Sequence, residues 1–210
     1  MSYYQKYRPE RIADLDLDSA RDLLLGNLKA GKLSHAYLLV GPRGSGKTST
    51  ARILARLVNC EKNSRTQEIK NSNGYVEPCG KCEACVSIKN GSAVDIMEID
   101  AASNRGIDDI RSLREKVRLA PAVLSTKVYI IDEVHQLSND AFNALLKTLE
   151  EPPKKVVFIL CTTESGKIPA TIASRCTKIV FHKAGEEELV RALMRAAAGE
   201  GPGTAGQPTR

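Results

Sequence analysis

The 210 residues contain no tryptophan, and Phe, Trp and Tyr together make up only 4%. A platform of aromatic rings for stacking single-stranded bases is therefore not expected. No apolar run reaches the roughly 20 residues of a membrane span, and the opening Met1-Ser-Tyr-Tyr-Gln-Lys6 leads into no hydrophobic signal segment. The expected location is cytoplasmic, with no membrane partner. Histidine is scarce as well. His35, His135 and His182 fall at the ends of expected elements and none pairs with a serine or cysteine nucleophile, so hydrolase triads have no support. The formal net charge of +6 permits contact with nucleic acid without requiring it. Six cysteines in a cytosolic chain point to thiols or metal ligands rather than a disulfide framework.

Against these absences stands Gly41-Pro42-Arg43-Gly44-Ser45-Gly46-Lys47-Thr48-Ser49, in which two glycines with four residues between them stand in front of Lys and Thr. The glycines let the backbone curl until its N–H groups point at phosphate oxygens. Lys47 adds a positive charge for the outer phosphates, and the Thr48 hydroxyl is suited to ligate Mg²⁺. Ala36–Val40 reads as a buried strand before the loop, and Thr48–Val58 as a helix whose positive end faces the phosphates. A nucleoside triphosphate site follows.

Further strands are expected at Val94–Ile99, Val128–Ile131, Val156–Leu160 and Lys178–Phe181. Helices are expected from Ser19, as N-cap, to Leu28 with Gly31 as stop, over Ile107–Val117, from a Ser138 cap to Pro152, and over Glu186–Ala198. Continuously apolar strands alternating with helices predict a parallel sheet covered on both faces, with phosphate chemistry at the carboxyl ends of its strands.

Asp132 and Glu133 close the Val128–Ile131 run. With a phosphate loop upstream, the first suits Mg²⁺ and the second suits accepting a proton from the water that attacks the γ-phosphate. Thr162 and Thr163 end the fourth strand. Their hydroxyls suit orienting that water or sensing the γ-phosphate, and a β-branched pair also simply suits a strand end. Arg175 reads as a surface charge or as an arginine finger for a neighbouring subunit. Cys79-Gly-Lys-Cys82-Glu-Ala-Cys85, with Cys60 upstream, offers four thiolates for a closed tetrahedral Zn²⁺ site in a polar insertion; Cys161 and Cys176 read as ordinary thiols.

In order, the glycine loop, the four-cysteine insertion, Glu98-Ile-Asp-Ala-Ala-Ser103, Ile131-Asp-Glu-Val-His135, Phe142 to Pro153 and Ser174-Arg-Cys176 closely resemble the gamma/tau subunits of bacterial DNA polymerase III, AAA+ ATPases of the clamp loader, over roughly residues 3 to 190. The resemblance implies a P-loop AAA+ three-layer α/β fold with a five-stranded parallel sheet over residues 1–180 and a zinc module inserted at 60–91. It implies ATP, Mg²⁺ and Zn²⁺ as cofactors. In the family, ATP binds between subunits of a five-membered ring that opens the sliding clamp and grips primer–template DNA, and hydrolysis releases both. The implied partners are delta, delta-prime and further gamma/tau subunits, the clamp and DNA. Lys47, Thr48, Asp132 and Glu133 take the phosphate, metal and base roles, and Thr162 or Thr163 that of sensor. Arg175 becomes the trans-acting finger. Lys147 and Arg105 become candidates for the DNA-facing surface.

Three departures stand out. Leu15-Asp-Leu-Asp18 replaces the family's Val/Ile-Gly-Gln turn beside the adenine pocket, and the 18 residues between Cys60 and Cys79 exceed the usual spacing. Residues 181–198 correspond to the start of a truncated lid, leaving the rest of the lid and the collar absent, before an expected disordered tail at 199–210. Two rival functions remain: a non-hydrolysing, delta-prime-like scaffold, and a nucleotide- and zinc-binding fragment without useful turnover.

Overall fold

A computed structural model describes residues 6–29, 33–62, 77–104 and 106–200. The expected Gly31 helix stop, Arg105, much of the polar insertion and residues 201–210 of the tail lie outside them. Five strands, β1 (Ala36–Val40), β2 (Ile96–Asp100), β3 (Lys127–Asp132), β4 (Val156–Thr162) and β5 (Thr177–Val180), form one sheet in the order β2-β3-β4-β1-β5. All pairings are parallel.

Because side chains alternate along a strand, each run serves two cores. On one face Leu38, Tyr129, Ile131, Phe158 and Leu160 meet α4 (Ile107–Val117) and α5 (Asn139–Glu150). Tyr129 and Phe158 stack there with ring centroids 5.4 Å apart. On the other face Tyr37, Leu39, Ile130, Ile159 and Ile179 meet α1 (Asp18–Lys29), α2 (Lys47–Asn59) and α3 (Glu83–Asn90). The short α6 (Ala170–Ala173) and the final α7 (Glu186–Glu200) complete the described helices. The Ser138 cap is present, its hydroxyl accepting from Ala141 N at 3.2 Å.

Among the boundaries that differ from expectation, two do so for a polar reason. Helix α1 starts at Asp18, with Ser19 already inside it. The Asp18 N–H donates instead to the Glu188 carboxylate, at 3.0 Å, so a distant residue does the work expected of a local cap. Strand β2 starts at Ile96 rather than Val94. The Asp95 carboxylate is turned aside to accept the backbone N–H groups of Ala122, Val123 and Leu124 at 2.8, 2.7 and 2.8 Å.

Candidate functional site

The carboxyl ends of β1, β3 and β4 lie side by side, with Val40 paired to Thr162 and Asp100 to Asp132. The glycine loop leaves β1 at this edge. Its first residue is wedged in place: Gly41 N donates to Thr162 O, and a Cβ on Gly41 would lie 2.5 Å from the Phe181 carbonyl oxygen. Gly44 and Gly46 hold φ of +76° and +91°, the left-handed region that glycine enters freely. Gly46 leads into α2, and no side chain caps that helix start, so its first N–H groups are left for a ligand.

Lys47 is buried, and its Nζ donates to the carbonyls of Gly41 and Pro42 at 2.8 Å each, curling the loop around the ammonium. Ser45 Oγ is buried with no hydrogen-bond partner. An orphaned hydroxyl, a buried ammonium and uncapped amides form a donor set that suits a phosphate chain. The loop borders a cavity of about 950 Å³. Its far wall comes from Tyr7, Arg8 and Pro9, from Leu15 to Leu17, and from Leu189 and Ala192 of α7. The departing Leu15-Asp-Leu-Asp18 segment is thus part of the pocket, through Leu15, Asp16 and Leu17.

Asp132 ends β3 and accepts a hydrogen bond from Thr48 Oγ1 at 3.2 Å, across 84 positions of sequence. Two hard oxygen donors at the mouth of a phosphate loop match the donor preference of Mg²⁺. Glu133 follows in a left-handed conformation, φ 47° and ψ 44°, an uncommon state for a non-glycine residue that turns its side chain off the strand. Thr163 Oγ1 donates to Glu133 Oε2 at 3.1 Å.

His135 is a member of this group that sequence reasoning missed. Its ring is buried, with Nδ1 at 3.0 Å from Thr162 Oγ1 and 3.4 Å from Glu133 Oε2, and Nε2 at 3.2 Å from Glu164 Oε1. The short 3₁₀ turn Val134–Gln136 brings the residue three after Asp132 back toward the strand end. Arg175 lies apart from the cavity lining. Its guanidinium donates to Glu150 Oε1 and to Thr171 O, both at 2.7 Å. Lys147 is exposed on α5.

The α7 wall is held by a polar seam. Glu188, Arg191, Arg195 and Gly199 recur every three or four residues and so share one helix face. Arg195 binds both Asp16 oxygens at 2.8 Å, and Arg191 reaches Asp18 at 2.7 Å. Hydrogen bonding to Arg191, chiefly, holds the Asp18 carboxyl below its usual pKa. A Cβ on Gly199 would overlap the Tyr7 ring.

Away from this edge, the ligand atoms of Cys60, Cys79, Cys82 and Cys85 all lie within 4.8 Å of one another. Tetrahedral Zn²⁺ with bonds of about 2.3 Å brings sulfurs roughly 3.8 Å apart, so the cluster fits with a small contraction. Backbone N–H groups of Lys81 and Cys82 point at Cys79 Sγ, at 3.5 and 3.3 Å. Burial alone would raise the Cys79 pKa, but these amides and the Cys82 and Cys60 thiols bring it down to about 7, favouring the thiolate a metal requires. Cys161 is buried and burial pushes its thiol up, and likewise that of Cys176, to about 11, as suits inert thiols.

A family model described as DNA polymerase III, delta subunit, matches residues 18–185. The chain belongs to this DNA polymerase III subunit family. It is 50% identical over 194 residues to DNA polymerase III subunit tau of Bacillus subtilis (strain 168), covering 90% of this chain and 33% of that protein. It is 46% identical over 196 residues to subunit tau of Escherichia coli (strain K12), covering 91% and 29% respectively. The chain therefore spans about a third of the length of these relatives. Among solved structures, a DNA polymerase III gamma subunit-related protein from Thermotoga maritima aligns with a TM-score of 0.56 at 22% identity, over 86% of this chain and 58% of that one. The Thermotoga maritima RuvB Holliday junction branch migration motor aligns at 0.57 and 19%, over 92% and 55%. These likenesses carry the fold, a P-loop-like parallel α/β sheet. No described helix of this DNA polymerase III family member is long and apolar enough to cross a membrane.

Proposed function

We propose that this chain is the nucleotide-binding core of a clamp-loader subunit that binds and hydrolyses ATP to place a sliding clamp on primed DNA. The observation that supports it most is the contact between Thr48 Oγ1 and Asp132 Oδ2, which joins the glycine loop to the acid-bearing strand end. In this reading the loop amides and Lys47 bind the phosphates, and Thr48 and Asp132 hold Mg²⁺. Held there, Mg²⁺ would supply neutralising charge to the phosphates. Glu133 accepts the proton of the attacking water, with Thr163 and His135 fixing where its carboxylate points. Thr162 or Thr163 senses the terminal phosphate.

Arg175, tethered to Glu150 outside its own pocket, serves the γ-phosphate of a neighbouring subunit. Residues 1–180 form the ATPase domain and 181–198 the start of a lid. The proposed partners are delta- and delta-prime-type subunits, further copies of this subunit, the clamp and primer–template DNA, with Lys147 and Arg105 candidates for the DNA-facing surface. The four cysteines hold a structural Zn²⁺.

Lys47→Ala removes an ammonium, and losing one charged hydrogen bond to phosphate, worth about 2 kcal/mol, should lower affinity for a fluorescent ATP analogue about thirtyfold, while any ATP turnover should vanish. Equal binding and turnover in the two proteins would sink the reading. Clamp loading in a mixture of chain, clamp, delta-type partners and primed DNA, with and without ATP, tests the wider role.

One observation favours a second reading: the matching family model is described as a delta subunit, which suits a non-hydrolysing scaffold. The presence of Lys47, Thr48, Asp132 and Glu133 together argues against it, because a scaffold needs none of the four. Elemental analysis of protein purified without chelator should find about one zinc per chain, and Cys82→Ser should lose most of it. Metal-free wild-type protein would count against the site.

A further inference from the structure

The four-cysteine module is attached to more than its own insertion. Cys60 directly follows α2, the helix that begins with the glycine loop, and Cys85 lies in α3. Two positions before Cys79, Glu77 reaches across to the N-terminal segment. Its Oε2 accepts from Ile12 N at 3.0 Å and its Oε1 from Ala13 N at 2.9 Å, so both carboxylate oxygens are committed. Those amides open the short 3₁₀ helix Ile12–Asp14 and have no acceptor within it, so the Glu77 oxygens supply the missing partners. A second attachment lies one turn earlier. Glu10 pairs with Lys89 of α3 at 2.5 Å and with the buried Arg56 of α2 at 3.6 Å.

The segment so gripped is the pocket's far wall. Tyr7, Arg8 and Pro9 line the cavity before the attachment points, and Leu15, Asp16 and Leu17 line it after them. Regular structure between 6 and 17 is confined to a helix end at Lys6 and the three-residue helix, so the path is set by side chains. Asp14 gathers Glu10 N and Arg11 N, and Ile12, Leu15 and Leu17 are buried. Arg195 holds Asp14 and Asp16 from one side, and Glu77 holds the turn from the other.

We infer that the four-cysteine module braces the nucleotide pocket, and that metal and nucleotide binding are thermodynamically coupled through Glu77. The inference rests on the nucleotide and zinc readings above. Four sulfurs drawn onto one ion fix Cys79 relative to α2 and α3, and with it the Glu77 carboxylate two residues away. That carboxylate fixes the 3₁₀ turn, and the turn sets the two stretches of wall on either side of it. Both ligands then favour one arrangement of residues 7–17, and each tightens the other by the same factor.

The test compares the full chain loaded with zinc, the chain stripped by a chelator, and zinc-loaded Glu77→Ala and Glu77→Gln. The probes are a fluorescent ADP analogue and amide hydrogen exchange at Ile12 and Ala13. Stripping should weaken ADP binding about tenfold in the wild type. Glu77→Ala should keep its zinc, bind ADP about tenfold more weakly, and lose little more when stripped. Glu77→Gln, which offers one carbonyl oxygen in place of two charged ones, should fall between and guards against a folding defect in the alanine variant.

Reciprocally, in equilibrium competition with the chelator, ADP should tighten zinc binding about tenfold in the wild type but not in Glu77→Ala. A variant that merely destabilised the fold would give additive losses. Additive losses, or equal ADP affinity with and without metal, overturn the coupling. Exchange at Ile12 and Ala13 that is unchanged by stripping overturns the brace itself. If the unmodified chain binds no nucleotide, the functional reading falls and the coupling with it, while the exchange measurement still decides the brace.

Discussion

Asp95→Ala should lower the unfolding free energy by about 3 kcal/mol, and the melting temperature by roughly 6–12 °C. The carboxylate is 3% exposed and collects three backbone N–H groups from the turn that leads into β3. Alanine leaves those donors facing a small void with no acceptor. That penalty exceeds the value of one ordinary hydrogen bond, because buried amides lose water without gaining a partner. Burial alone would raise the Asp95 pKa, but the three amides and Lys127 outweigh it and hold the carboxyl below its ordinary value.

A pKa lowered by folding means that the native state favours the charged form. The contribution is therefore complete above the unfolded value near pH 4, and is lost as pH falls through the native value. Denaturant titrations should show the full gap between wild type and variant at pH 7 and a shrinking gap below about pH 4. Equal stability at pH 7, or a gap undiminished at pH 2, would refute the assignment. Asp95→Asn, with one acceptor oxygen and no charge, should lie between the two.

Gly41→Ala should be the most damaging glycine replacement in the phosphate loop, costing about 3 kcal/mol of stability and at least tenfold in nucleotide affinity. The new methyl would lie 2.5 Å from Phe181 O and 2.6 Å from Phe181 Cβ, and neither backbone nor Cβ can step aside alone. Relief requires β1 and β5 to part where they exit the sheet, which carries the Gly41 carbonyl away from Lys47. Gly44→Ala and Gly46→Ala meet no neighbouring atom within 4 Å. Their penalty is the positive φ alone, about 1–2 kcal/mol each. Thermal melts and ADP-analogue titrations of the three variants should therefore separate Gly41 from the others. The same loss at all three positions would show that conformation, not the wedge, governs the loop.

What was legible in the sequence was what local patterns encode. The glycine loop, the Asp132-Glu133 strand end, the Ser138 cap and the four cysteines each announce themselves within a few residues, and the five apolar runs located the strands to within one residue, or two for β2 and β4. What escaped were polar contacts between distant parts of the chain. A carboxylate at Glu77 or Asp95 has the same local signature whether it faces water or gathers amides. Glu188 replaces the expected Ser19 cap from 170 positions away, and Arg195 finds Asp16 across 179. His135 was passed over because a lone histidine after a strand carries no pattern until a 3₁₀ turn aims its ring.

The strand order has a consequence for how this protein comes to exist on the ribosome. Strand β1 is made more than a hundred residues ahead of its two neighbours in the sheet, β4 and β5. Until they arrive, the strand carrying the phosphate loop has no edge to pair with and exposes a fully apolar ribbon. Gly41 is not seated until Phe181, 140 positions further along the chain, has emerged. The glycine loop should therefore take its final shape abruptly once that stretch has been made, as slow closure of distant parallel pairs demands.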